Sequence, residues 1–136
     1  MRRRTRAREL ALQMLYQVDA RGIEAMEGFP EFLEREAPGD GEVKSFAEQL
    51  VQGTIDAREE LDAIVGDAAQ NWHLRRMALV DRNILRMAVY EMVHLADIPA
   101  KVSINEAIEM GKRFSTQQSG SFINGILDRI RRERQL

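Results

Sequence analysis

The stretch that decides the fold is "DRNILRMAVYEMVHLA", residues 81–96. Ile84, Leu85, Ala88, Val89, Met92, Leu95 and Ala96 recur at helical spacing over a wide face, and Met87 and Val93 lie outside it. A helix apolar on most sides is covered on most sides, so this segment reads as the central helix of a bundle.

Working outward, the same period recurs. Upstream, Val43, Phe46, Ala47, Leu50, Val51, Thr54, Ile55, Leu61, Ile64 and Val65 describe one long helix over 43–65. Gly53 inside it weakens the helix locally, which close packing of a neighbouring helix would explain. Residues 66–71, "GDAAQN", read as a connector, and 72–79 as a short helix capped by Asn71. At the start, Ala7, Leu10, Ala11, Met14, Leu15 and Val18 form another stripe, with Thr5 as its N-cap and Gly22 as its stop. A shorter helix is expected over 23–36, broken near Pro30, before the loop "APGDGE" at 37–42.

Downstream, Pro99 demands extended backbone before it. "SINE" (103–106) then reads as a capping box that starts a helix on Ile104, Ala107, Ile108, Gly111 and Phe114. "STQQSGS" interrupts it, and a last helix over 122–132 carries Ile123, Ile126, Leu127 and Ile130. No strand alternation or fixed-period repeat is evident. The expectation is an all-α, compact single-domain bundle of about seven helices spanning 1–136.

Composition bounds the function. The chain has 44% apolar and 31% charged residues, a globular profile. No apolar run approaches a membrane span, and Glu9, Gln13 and Gln17 interrupt any signal-peptide core. The absence of cysteine removes thiolate catalysis and most zinc sites. A cytoplasmic location fits this profile.

The net charge of -2 conceals segregation: residues 1–18 carry +4, 19–67 carry -10 and 68–136 carry +4. Five arginines, Arg2, Arg3, Arg4, Arg6 and Arg8, open the chain. Arginine's planar donor fork suits phosphate, and positive charge at a helix N-terminus opposes the macrodipole, so this arm points to a polyanionic partner. A second basic group comprises Lys101, Lys112 and Arg113 beside the polar loop 115–121, with Arg82 and Arg86 available to the same patch. Phe122, at the edge of its stripe, suits either core packing or stacking on an unpaired base. Leu12, Tyr16 and Tyr90 fall off their helices' main faces and suit either the core or a protein-binding patch.

Chemistry is not evident. His73 and His94 stand apart with no ligand spacing, and neither a phosphate-binding glycine loop nor a nucleophile elbow is present. Asp81 at a helix start has a structural role available in the first turn. The expectation is a non-enzymatic protein with no metal and no cofactor.

Four segments taken in order, "RARELALQMLYQVD" (6–19), "VDRNILRMAVYEM" (80–92), "IPAKVSINEAIEMGKRF" (98–114) and "SGSFINGILDRI" (119–130), resemble the NusB family of bacterial transcription antitermination factors over essentially the whole chain. The resemblance implies a bacterial cytoplasmic, all-helical RNA-binding protein without catalysis or cofactor. It would pair with the small-subunit ribosomal protein NusE, bind single-stranded boxA RNA, notably in ribosomal RNA leaders, and join NusA, NusG and RNA polymerase in an antitermination complex.

Carried over by position, Arg2, Arg3, Arg4, Arg6 and Arg8 match the RNA-binding arm. Gln118 and Ser119, with Phe122 and Asn124, match a second RNA-contacting region, with Lys101 close by. Gln118 stands where some relatives have aspartate. Asp81, shorter than the relatives' glutamate, would face NusE, with Tyr16 and Tyr90 as further partner-binding candidates. The alternative is a stand-alone RNA-recognition module akin to the helical domain preceding rRNA cytosine methyltransferases, though the chain carries no catalytic cysteine. A helical scaffold or homodimer would leave the arginines without a partner.

Overall fold

In a computed structural model, described for residues 2–70 and 73–136, seven α-helices account for most of the chain and no strand occurs among the described residues. They are α1 (Arg2–Arg21), α2 (Phe29–Glu36), α3 (Gly41–Asp56), α4 (Arg58–Ala69), α5 (Leu79–His94), α6 (Ala100–Phe114) and α7 (Ser119–Arg134). Short 3₁₀ helices at Ile23–Gly28 and Leu74–Arg76 complete the set. No described helix is long and apolar enough to cross a membrane.

Helix α5 is central. It packs against α1, α3, α4, α6 and α7, and Ile84, Leu85, Met87 and Val89 are sealed from solvent. The stripes of the other helices close around it into one apolar cluster. The directions follow from the cross-links. Along α1, Arg3 meets Glu42 at the start of α3, and Asp19 meets Arg58, two residues past the end of α3. On α1 and α6, Thr5 meets Glu106 and Glu9 meets Arg113. Helices α1, α3 and α6 are therefore parallel, with three N-termini at one end of the bundle. On α5 the order reverses: Arg8 meets Glu91 and Asp19 meets Arg82.

Several element boundaries differ from the sequence expectation. Helix α1 is already formed at Arg2, so Thr5 does not cap it; its hydroxyl donates to Glu106 Oε1 at 2.8 Å. Gly22 does end α1, with φ of 102°. Ala37–Asp40 turns the chain, and Asp40 caps α3 by accepting from the Val43 N–H. The long helix expected over 43–65 is two helices hinged at Ala57, whose N–H closes α3 on Gly53 O and Ile55 O. The hinge lets α4 contact both α5 and α7. Helix α4 then runs through most of the expected connector, to Ala69.

Of the short helix expected over 72–79, the described residues ahead of α5 form only the turn Leu74–Arg76, between extended His73 and Met77; Trp72 and the expected cap Asn71 lie outside the described residues. The "SINE" capping box does not form. Helix α6 starts four residues earlier, directly after Pro99, whose φ of -58° and ψ of 136° supply the extended entry. Ser103 is thus interior, and its hydroxyl donates to Glu91 Oε1 across the core. Gly53 does serve close packing: a Cβ there would collide with the Tyr90 ring.

Candidate nucleic-acid interface

The arginine arm occupies the first two turns of α1, and its members divide sharply by environment. Arg3 and Arg4 are exposed and Arg6 is half-buried. The Arg2 side chain lies outside the described residues. Arg8 corrects the sequence expectation: it is 2% exposed and its guanidinium forms a two-pronged pair with Glu91, both bonds 2.8 Å, with Glu106 at 3.4 Å. Desolvation opposes its charge, but the hydrogen bond and charge of Glu91, then Glu106, outweigh burial and raise its pKa. Arg8 is a core ion pair joining α1, α5 and α6 and presents nothing to a ligand. Its spacing to Ala11, Leu12 and Leu15, all buried, carried that signal.

The exposed arginines are not bare cations. Arg3 Nη1 donates to Glu42 Oε1 at 2.6 Å, with Asp40 3.6 Å away. Arg6 donates to Glu36 Oε1 at 3.0 Å and lies 3.6 Å from Glu9. These carboxylates offset the unfavourable placement of arginine at a helix N-terminus. Arg4 has no carboxylate partner among the described residues; its guanidinium lies 4.5 Å from the Phe46 ring centroid. Such surface pairs are weak and screened by salt, so a phosphate competes with them readily.

The second region is split. Gln118 and Phe122 line a cavity of about 250 Å³ together with Arg76, Met77, Asp81 and Ser119. Ser119 corrects a further expectation. It is 2% exposed, and its hydroxyl donates to Asp81 Oδ2 at 3.1 Å and sits 3.0 Å from the Ser115 and Thr116 hydroxyls. It closes the 115–118 loop onto α5 rather than meeting a ligand. Asn124 is exposed but sits on nearly the opposite side of α7 from Phe122. Lys101 is exposed but not near this loop. It lies on the first turn of α6, at the arm's end of the bundle, whereas the loop follows the last turn, about 20 Å away along the helix.

Arg82 and Arg86 leave the basic patch altogether. Both turn inward to Asp19: Arg82 at 2.7 and 2.8 Å, Arg86 at 3.0 Å, with Arg86 also held by Asp62. Burial pushes the Asp19 carboxyl up, but hydrogen bonds from Arg82 and Asn83 and the charges of Arg86 and Arg82 hold it at about 2.

The candidates for a protein partner also divide. Tyr16 is exposed and lines an open groove of about 510 Å³ with Leu12, Gln13, Phe32, Val80 and Phe114. Val80 on that groove precedes Asp81, whose side chain lines the separate cavity with Gln118 and Ser119. Asp81 Oδ1 is buried without a hydrogen-bond partner among the described residues. Tyr90 does not join them. It lies half a helical turn round α5 from Asp81, against Gly53 and stacked on His94 at 5.4 Å. Burial and the nearby Asp56 charge raise its phenol pKa. Sequence reasoning missed the carboxylate rim of Glu36, Asp40 and Glu42 and the exposed residues Ser45 and Gln49 beside the arm, because only contact between α1 and α3 gives them a common site.

Comparison with known proteins completes the description. A model of the NusB family matches residues 5–132. The transcription antitermination protein NusB of Geobacter sulfurreducens is 50% identical over 123 residues, covering 90% of this chain and 89% of that protein. The fold is similar to that of NusB from T. maritima, with a TM-score of 0.85 and 36% identity, covering 98% of this chain and 92% of that one. It is also similar to a chain in a crystal structure of the antitermination factors NusB and NusE in complex with dsRNA, with a TM-score of 0.88 and 28% identity, covering 98% of each.

Proposed function

The chain belongs to the NusB family of transcription antitermination factors, and from that premise we propose that it binds boxA RNA jointly with NusE and supports assembly with NusA, NusG and RNA polymerase, notably on ribosomal RNA operons. It acts by binding and assembly, without turnover. The observation that carries this reading is the arginine arm: Arg3, Arg4 and Arg6 project from α1 at the end of the bundle where Lys101 also stands, and the N-termini of α1, α3 and α6 add their partial positive charge there.

The relative solved with NusE and dsRNA supports the choice of both partners. Our reading places the strand as an unpaired one, gripped at the arm and reaching toward Gln118 and Phe122. Our reading sets NusE on the open groove that Tyr16 lines, with the half-buried carboxylate of Asp81 beyond Val80 lending negative charge to that side.

The test is a fluorescence-anisotropy titration of boxA RNA and a permuted control, with and without NusE. Contact to about three phosphates gives a slope near -2 in log K against log salt, from about -0.7 per phosphate on a single strand. The variant R3A/R4A/R6A flattens that slope. Asp81→Lys weakens the NusE complex by reversing charge at the interface. Equal, negligible binding of both RNAs at low salt with NusE present would defeat the reading.

A further inference from the structure

Beside the arm, α1 and α3 enclose a cleft of about 320 Å³ lined by Arg3, Arg4, Glu42, Ser45, Phe46 and Gln49. Resting on the RNA-binding reading above, we propose that this cleft is a subsite for one unpaired nucleotide of the bound strand, with Gln49 and Ser45 reading its base.

The chemistry of the walls supports this occupant. The Phe46 ring is 8% exposed, and the Arg4 guanidinium covers it 4.5 Å from the centroid. Arg4 is otherwise exposed, so the solvent side of its guanidinium offers a cationic surface on which a base can lie. Ser45 and Gln49 are one helical turn apart on the exposed side of α3, and neither side chain makes a hydrogen bond among the described residues. The Gln49 amide offers two donors and an acceptor, which pair with a base edge, and the Ser45 hydroxyl serves a base or a 2′-hydroxyl. Arg3, at the mouth, is held by Glu42 at 2.6 Å. A phosphate entering the cleft replaces that carboxylate, and the freed Glu42 returns to water. The site combines stacking, edge recognition and charge, whereas the arm alone supplies charge only.

The experiment compares the full chain with its Gln49→Ala, Ser45→Ala, Glu42→Gln and R3A/R4A forms, each with NusE, on labelled boxA RNA and its permuted control over a salt series. Both α3 side chains are exposed and outside the core, and far-UV circular dichroism confirms folding. The expected result is that Gln49→Ala lowers boxA affinity about tenfold, the range of a lost two-point base contact, leaves the control and the salt slope unchanged, and so erodes discrimination. Glu42→Gln tightens both RNAs. Equal losses on boxA and control from Gln49→Ala, or no loss at all while R3A/R4A weakens both, would overturn the subsite and leave the arm's role standing. Failure of the parent protein to bind boxA would instead defeat the underlying reading.

Discussion

Arg4 and Arg8 differ by one helical turn and have opposite fates. Arg8 is fully desolvated and its charge is balanced by Glu91, which also accepts from Ser103 at 2.8 Å. Removing one member of a buried pair strands the other, at a cost of about 3–5 kcal/mol. Arg8→Ala is therefore expected to lower unfolding free energy by that amount in a urea titration, while Arg4→Ala changes it by less than about 0.5 kcal/mol. The reverse ranking would place Arg8 at the surface. Asp19 supplies a pH signature. Its folded-state pKa of about 2 lies below the ordinary 3.8, so the folded protein binds fewer protons than the unfolded chain in that window. The stabilisation is complete above about pH 4 and is lost as pH falls toward 2. Asp19→Asn should lower stability at neutral pH and flatten its fall between pH 4 and 2, as read from denaturation midpoints at each pH.

At the scale of elements, the joint between α3 and α5 depends on a missing side chain. The Tyr90 ring fills the space over Gly53, and a methyl group there has nowhere to go. Gly53→Ala should gain helix propensity yet destabilise by about 1–3 kcal/mol through overpacking, and adding Tyr90→Ala should leave the glycine substitution neutral or favourable. A double-mutant cycle by thermal unfolding measures this coupling. The glycine was legible in the sequence as a weak point in a helix. The identity of the ring above it was not, because that contact joins residues distant in the chain. The hinge at Ala57 escaped notice for a similar reason: apolar spacing continues across it, and only the need of α4 to reach α7 breaks the axis.

For the whole molecule, the parallel course of α1, α3 and α6 collects arm and helix N-termini at one end and leaves the 115–118 loop at the other. On the proposed reading the two regions act on separate parts of a strand, and they differ in kind, one charged and one polar. Gln118→Ala should lower RNA affinity several-fold without altering the salt slope, whereas arm substitutions alter both. An equal change in slope from Gln118→Ala would mean that both regions hold phosphates. The all-α bundle, the central place of α5 and the basic arm were readable from spacing and charge; the number of helices agreed because the unforeseen break at Ala57 offset the short helix that does not form. The sorting of the candidate residues was not: Arg8 and Ser119 turned inward, Lys101 stands at the end opposite the 115–118 loop, and Tyr90 packs against Gly53.

The sequence by itself determined that the chain is helical, which faces of its helices are apolar, and that positive charge gathers at its start, since each follows from local spacing and composition. Only the tertiary structure decided which charges are spent inside and which remain for a ligand. A guanidinium is recruited to the core or left in water according to the carboxylate it meets, and Glu91, Asp19 and Glu42 reach their arginines only when helices far apart in the chain are packed side by side.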